Sequence, residues 1–255
     1  MAGSKQRERE LARQRWIRQQ QARADAKRRA RRRAQIIGAA LSVALIIGGV
    51  FLFANPFASN NGASAATTVS CTYTPKTGEK TGDKTPPGLP TATAPKTGLY
   101  NIAISTNQGE IDLQLDASKA PCTVHSFLHL AQSGFYDATK CHRLLTGGAG
   151  KVLQCGDPTA SGSGGPGYQF ADENLAGATY KKGTVAMANS GPNTNGSQFF
   201  MVYGDSSFPA SYTPFGTITS GIDVLQKIAK GGVTGENKDT PKTKVEIKSV
   251  TVTGA

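Results

Sequence analysis

The sequence predicts a mostly β protein, a closed antiparallel barrel carrying two helices, preceded by one membrane-spanning helix and an extended spacer. Three observations lead there. Ile36 to Phe53 is an uncharged apolar run, residues 55–97 are too poor in apolar side chains to build a core, and the remainder alternates short strands with Gly/Pro/Asn turns around only two helical periodicities.

The first 35 residues carry 13 of the 29 Lys and Arg residues and three acids, Glu8, Glu10 and Asp25, so the overall charge of +12 belongs to a tail. The remaining chain is almost balanced, which disfavours a nucleic-acid enzyme with a charged groove, and Trp16 alone makes no stacking platform for RNA. The run IIGAALSVALIIGGVFLF has 18 residues. At about 1.5 Å per residue it nearly matches a hydrocarbon core of roughly 30 Å, and residues 36–54 are expected to form a single span. The basic block before it is expected to stay cytoplasmic and everything after it to lie outside the cell membrane. A cleaved signal peptide is the rival reading, for which Ala63-Ser64-Ala65 offers a small-x-small site.

In Pro75–Gly98, 19 of 24 residues are Pro, Thr, Lys or Gly. Residues 55–97 are therefore expected to be a flexible, disordered linker. Residues 98–255 form the expected folded domain, long enough for one self-sufficient core. It opens with Tyr100/Ile102/Ile104 and Ile111/Leu113/Leu115 joined through Asn107-Gln108-Gly109, a hairpin with one wet face. Pro121 opens a helix with Val124, Phe127, Leu128 and Ala131 on one stripe, closed by Gly134, and a second helix covers Ile222 to Lys230. The last strand changes parity near Lys248-Ser249, as a bulge would make it.

Some apparent motifs carry no chemistry. Thr146-Gly147-Gly148-Ala149-Gly150-Lys151 looks like a phosphate loop, but Leu145 replaces the first glycine and Val152 follows the lysine where Ser or Thr would hold magnesium. Cys141-His142 is no thiol dyad, since adjacent residues on a strand point to opposite faces. Four cysteines and three histidines show no zinc spacing.

Two segments are more particular: Cys141-His142-Arg143-Leu144-Leu145 continuing to Val152-Leu153-Gln154-Cys155-Gly156-Asp157-Pro158, and Met187 to Phe200, MANSGPNTNGSQFF. With Gly162-Ser163-Gly164-Gly165 and Asp172-Glu173-Asn174, they resemble the cyclophilin family of peptidyl-prolyl cis/trans isomerases, over about Leu99 to Thr253. The resemblance implies an eight-stranded antiparallel closed barrel capped by two α-helices. It also implies proline-containing polypeptides as substrates and no cofactor, metal or nucleotide. Rotating an X-Pro bond loses amide resonance over roughly 18–20 kcal/mol and localises a lone pair on the prolyl nitrogen, so a donor aimed there lowers the barrier. Arg143 matches the family's catalytic arginine, Gln154 the glutamine beside it, and Phe200 the floor of the proline pocket. Val152, Gly162, Ala188, Asn189, Ser190 and Gln198 match substrate-binding positions.

Where the resemblance would place an aromatic residue, a tryptophan and a histidine, this chain has Lys151, Phe208 and Tyr212, with Pro209 in an adjacent apolar place. Phenylalanine cannot donate an indole hydrogen bond, so cyclosporin is expected to bind weakly; tight binding by calorimetry would move the tryptophan's place away from Phe208. Together, Arg143, Gln154 and Phe200 favour a membrane-tethered isomerase for exported proteins; Lys151 favours the alternative, a non-catalytic module binding Pro-containing segments of an envelope partner. At least one disulfide is expected in an exported domain. If Arg143 and Gln154 face one pocket, pleat alternation places Cys141 and Cys155 on opposite faces. Cys141–Cys155 is then the pairing least expected, leaving Cys71 or Cys122 as partners.

Overall fold

A computed structural model describes residues 67–254 apart from residue 238. The basic tail, the expected span and residues 55–66 lie outside the described residues. Among the described residues, no helix is long and apolar enough to cross a membrane.

The chain enters through three short strands, β1 (Thr68–Ser70), β2 (Tyr73–Pro75) and β3 (Thr93–Pro95), with β1 and β3 paired. This corrects the linker expectation for residues 67–97. The segment builds no core of its own, as its composition requires, but docks on the core of the domain as a strap. Cys71, Tyr73 and Ala94 are buried, and Cys71 is bonded to Cys122. The Tyr73 hydroxyl donates to the Cys122 carbonyl at 2.8 Å, and its ring meets Tyr168 and Phe170 edge-on, with centroids 5.7 and 5.6 Å apart. A few anchors and one covalent bond thus hold a segment whose average composition looks unfoldable.

The hairpin β4 (Leu99–Thr106) and β5 (Gly109–Asp116) follows, turning at Asn107-Gln108 and burying Ile102, Ile104, Ile111, Leu113 and Leu115. Helix α1 (Pro121–Gln132) has Pro at its first position, where the missing amide hydrogen costs nothing. Its next two amides, Cys122 and Thr123, donate to the Glu173 carboxylate. Val124, Phe127, Leu130 and Ala131 are buried; Leu128 is only partly so, because the buried face turns toward Leu130.

Strands β6 (Thr139–Lys140), β7 (Arg143–Gly147), β8 (Gly150–Cys155), β9 (Tyr168–Phe170), β10 (Thr184–Met187), β11 (Phe199–Gly204) and β12 (Pro214–Ser220) lead to helix α2 (Ile222–Lys230). The helix starts after Gly221 at φ +83°, where an added Cβ would meet the Glu110 carbonyl oxygen at 2.4 Å. A small hairpin, β13 (Val233–Thr234) and β14 (Thr240–Pro241), precedes the final strand β15 (Glu246–Gly254). The register of β15 shifts between Ile247 and Ser249, the bulge the sequence foretold.

The main sheet has nine strands, ordered β6-β15-β4-β5-β12-β10-β11-β8-β7, and all its pairings are antiparallel. This corrects the expected eight-stranded closed barrel: the sheet has nine strands and curls without pairing its edges. Here the edge strands β6 and β7 are consecutive in the chain, and Cys141-His142 bridges them outside the ladder. β2 pairs instead with β9, over residues Tyr73–Pro75 and Tyr168–Phe170.

The same bridge overturns the cysteine expectation, because the disulfides are Cys71–Cys122 and Cys141–Cys155. Alternation holds within β7 and β8 but does not extend back through residues 141 and 142. The Cys141 amide donates to the Val245 carbonyl, and its side chain turns into the core beside Cys155, with Cα atoms 4.0 Å apart.

Candidate active site

Pleat alternation in β8, β10 and β11 divides two hydrophobic clusters. One face, Leu153, Cys155, Val185, Met187, Phe199 and Met201, belongs to the main core. The other face carries Val152, Ala186, Phe200 and Val202, a separate cluster on the opposite side of the sheet that includes Tyr180 and is flanked by Leu145, Ala178, Ala188, Phe208 and Tyr212. Register puts Phe200 beside Gln154 and Ala186, and Gln154 beside Arg143. Three sequence-expected residues thus lie on adjacent strands of one surface.

Phe200 is buried at 4% exposure and forms the floor of an aromatic group. Its centroid lies 6.0 Å from Tyr180, 5.8 Å from Phe208 and 5.5 Å from Tyr212, the last nearly perpendicular at 87°. Edge-to-face contacts of this kind fix ring positions. The Tyr180 hydroxyl donates to the Tyr212 carbonyl at 2.8 Å and accepts from the Tyr212 amide at 2.9 Å, pinning that segment. Phe208 sits over Gly150, where any Cβ would lie 2.3 Å from its ring. Gly150 is therefore required for space. Pro209, expected beside these rings, is exposed and takes no part in the cluster. Lys151 points away from Val152 and lies along Gly204.

Above the rings runs a directional series of donors. Arg143 Nη1 donates to Gln154 Oε1 at 3.4 Å, Gln154 Nε2 to Gln198 Oε1 at 2.8 Å, and Gln198 Nε2 to the Gly164 carbonyl at 2.9 Å. The Arg143 side chain is 46% exposed and its Nε lies 3.4 Å from Asp239 Oδ2, so the guanidinium stands at the mouth of the site with capacity for another acceptor. Ala188 and Asn189 form the opposite margin: the Ala188 amide donates to the Gln198 carbonyl and Asn189 Nδ2 to the Ser211 carbonyl. Ser190 is exposed beyond them, and its amide donates to Thr194 Oγ1.

Gly162 lies on the rim, in a loop organised by Asp157, whose carboxylate accepts from Thr159, Gly162 and Gly164 amides. Burial pushes that carboxyl up, but the hydrogen bonds from Thr159 and Gly164 outweigh it and hold it below the usual range. His142 lies behind the loop with both ring nitrogens buried and lacking hydrogen-bond partners; desolvation lowers its pKa, against the opposing pull of Asp157.

A polar cavity of about 80 Å³ adjoins this margin, lined by Gln154, Gly162, Ala188, Asn189, Ser190 and Gln198 among others. Sequence reasoning missed Tyr180, Asp239 and the two strap residues that also reach this cavity, Lys76 and Glu79. Tyr180 is an isolated aromatic among loop residues and Asp239 follows a turn, so neither belongs to a spacing that could have marked it. No nucleophile–base pair stands in the arrangement. It offers charged and neutral donors over a closed apolar floor.

Residues 101–252 match the family model described as cyclophilin type peptidyl-prolyl cis-trans isomerase/CLD. The chain is 52% identical over 164 residues to a probable peptidyl-prolyl cis-trans isomerase B of Mycobacterium tuberculosis, covering 59% of this chain and 53% of that protein. It is 46% identical over 197 residues to the Mycobacterium leprae protein of the same description, covering 71% and 66%. It therefore spans about half to two thirds of the length of these relatives. A crystal structure of a Cryptosporidium parvum cyclophilin type peptidyl-prolyl cis-trans isomerase superposes with a TM-score of 0.55 at 32% identity, covering 62% of this chain and 99% of that one. On the match across residues 101–252, with the site geometry just described, the chain belongs to the cyclophilin-type peptidyl-prolyl cis-trans isomerase family.

Proposed function

We propose that this chain is a peptidyl-prolyl cis/trans isomerase for exported proteins, tethered to the outer face of the cell membrane by residues 36–54. The observation that carries the isomerase reading is Arg143, a permanently charged donor on the strand beside Gln154, above a ring-sized apolar floor at Phe200. The floor would take the prolyl ring, and Ala188–Ser190 would align the backbone. With the amide twisted out of conjugation, the guanidinium would donate to the lone pair on the prolyl nitrogen. That interaction exists mainly in the twisted state, which is what lowers a barrier instead of merely strengthening binding. The Gln154–Gln198–Gly164 series would hold the fork on target. A crystal of the Cryptosporidium relative was obtained in the presence of the dipeptide Ala-Pro, a ligand of the size this floor would accept.

A protease-coupled assay on X-Pro peptides tests the reading. If Arg143 contributes as much as one oxyanion-hole donor, roughly 2.7–4 kcal/mol, Arg143→Ala lowers kcat about a hundred- to a thousandfold. Arg143→Lys rescues poorly, because a mobile ammonium cannot present two aligned donors. Retention of more than about a third of wild-type kcat/KM by Arg143→Ala, a loss under ~0.7 kcal/mol, would favour the non-catalytic binding module.

Support for the tether is the charge asymmetry around the apolar run. Protease added to intact spheroplasts is expected to remove the domain and spare the basic tail. A protected domain would reverse the topology, and a mature chain starting near Ala66 would identify a cleaved signal.

A further inference from the structure

The strap residues Lys76 and Glu79 form an outer wall of the polar cavity beside Ala188–Ser190. They are held there firmly. The Lys76 amide donates to the Gly167 carbonyl at 2.8 Å, the Gly165 amide to the Lys80 carbonyl at 3.1 Å, and the Gly167 amide to Glu79 Oε2 at 2.9 Å. The Glu79 side chain is only 5% exposed, and a Cβ on Gly165 would lie 2.5 Å from its carboxylate. The strap and the glycine loop are therefore fitted to each other.

Most polar groups lining the cavity are already committed. Gln154 and Gln198 bond to each other and onward, and Asn189 donates to Ser211 and accepts from the Gly191 amide. Ser197 donates to the Gly156 carbonyl, Ser163 pairs with Ser161, and Thr194 Oγ1 both donates and accepts. Both Glu79 oxygens are occupied, by Lys76 Nζ at 2.6 Å and by the Gly167 amide. Lys76 differs. Its ammonium has three protons, one of which goes to Glu79, and its side chain is 43% exposed. Further donors come from the exposed Ser190 hydroxyl and from the second N–H of the Gln154 and Gln198 amides, each of which makes one bond from its nitrogen. The cavity thus presents donors, one of them cationic, to whatever enters.

We infer that Lys76 makes this cavity a subsite for an acidic side chain on a substrate residue flanking the isomerised proline. The inference rests on the isomerase reading. Ala188 touches both the aromatic cluster and the cavity, so a chain with its proline over Phe200 and its backbone along residues 188–190 brings a flanking side chain to Lys76.

The test uses the full chain and peptides carrying Glu, Gln, Ala or Lys at each of the two positions on either side of the X-Pro pair. Isomerisation is followed at low salt by exchange NMR. At one position, the Glu peptide is expected to exceed the Lys peptide in kcat/KM by roughly two- to fivefold, through KM, as a half-exposed ion pair allows. Lys76→Glu should reverse that order, and Lys76→Gln should erase it without reversal. The same order in all three chains, or an equal loss on every peptide, would overturn the subsite, the latter showing a purely structural strap. If no peptide is turned over, the isomerase reading fails, and calorimetry with the same peptides decides whether the charge preference exists in binding.

Discussion

The apolar and polar sides of the site are built differently. On the apolar side, Phe200, Tyr180, Phe208 and Tyr212 lock one another by ring contacts, all within residues 180–212. The polar side runs from Arg143 through Gln154 and Gln198 to Gly164, and the loop containing Gly164 leans on Lys76–Lys80 of the strap. The apolar side is self-supporting, whereas the polar side depends on a segment preceding the family match at residue 101. The two sides of one surface are thus structurally separable.

The largest effect that would break this comparison is at its apolar centre. Phe200→Ala empties a buried site and is expected to cost about 3–5 kcal/mol in stability, read by urea unfolding. In the surviving folded protein, kcat/KM should fall mainly through KM, since the ring is held alike in planar and twisted states. A loss confined to kcat would make Phe200 part of the donor machinery.

Next comes the strap. The Cys71–Cys122 bond spans 51 residues, so chain entropy alone assigns it about 4 kcal/mol, an upper figure because unfolded chains retain structure. Changing both cysteines to serine should lower the unfolding midpoint accordingly. Under conditions where the main sheet stays folded, hydrogen exchange should quicken in residues 68–84 and 163–167 but not around Phe200. Uniform acceleration would mean that the two sides are not separable.

The smallest expected effect concerns His142, behind the polar side. Its folded pKa lies below the ordinary 6.5, with desolvation the main cause. As pH falls below 6.5 the unfolded chain takes up a proton that the folded chain refuses, so stability declines until the folded pKa is reached. His125, lowered chiefly by desolvation as well, adds the same sign. Asp157, with its folded pKa depressed, acts only at lower pH, where its contribution disappears. Unfolding midpoints between pH 7.5 and 5 should therefore fall in the wild type and fall less steeply in His142→Gln. Parallel slopes would remove His142 from the account.

Much of the fold was legible because it follows periodicity. Alternation located the first hairpin and the change of parity near Ser249, and a helical stripe behind Pro121 located the first helix. Arg143, Gln154 and Phe200 were reached through the family motifs instead, and the register sets them on neighbouring strands. What failed were inferences carried past the end of an element or drawn from average composition. Cys141 was assigned a face by a pleat that stops at Arg143. Residues 67–97 were judged by whether they could build a core, although Cys71, Tyr73 and Ala94 suffice to anchor them to one built elsewhere. Glu79 in a Lys/Thr/Gly repeat has no local signature of its place on the domain, because the Gly167 amide that fixes it lies 88 residues downstream.

That separation also orders events in time. The strap leaves the ribosome before any other described part of the molecule, yet β2 has nothing to pair with until Tyr168–Phe170 has been made. Pairing so distant in sequence must pay for closing a long loop before contacts repay it, which slows assembly. The residues synthesised first are thus installed late, and Cys71 stays without its partner until Cys122 emerges. Because synthesis runs from the N-terminus, the wall of the polar cavity is a finishing step, completed only once the donors it supports have already been laid down.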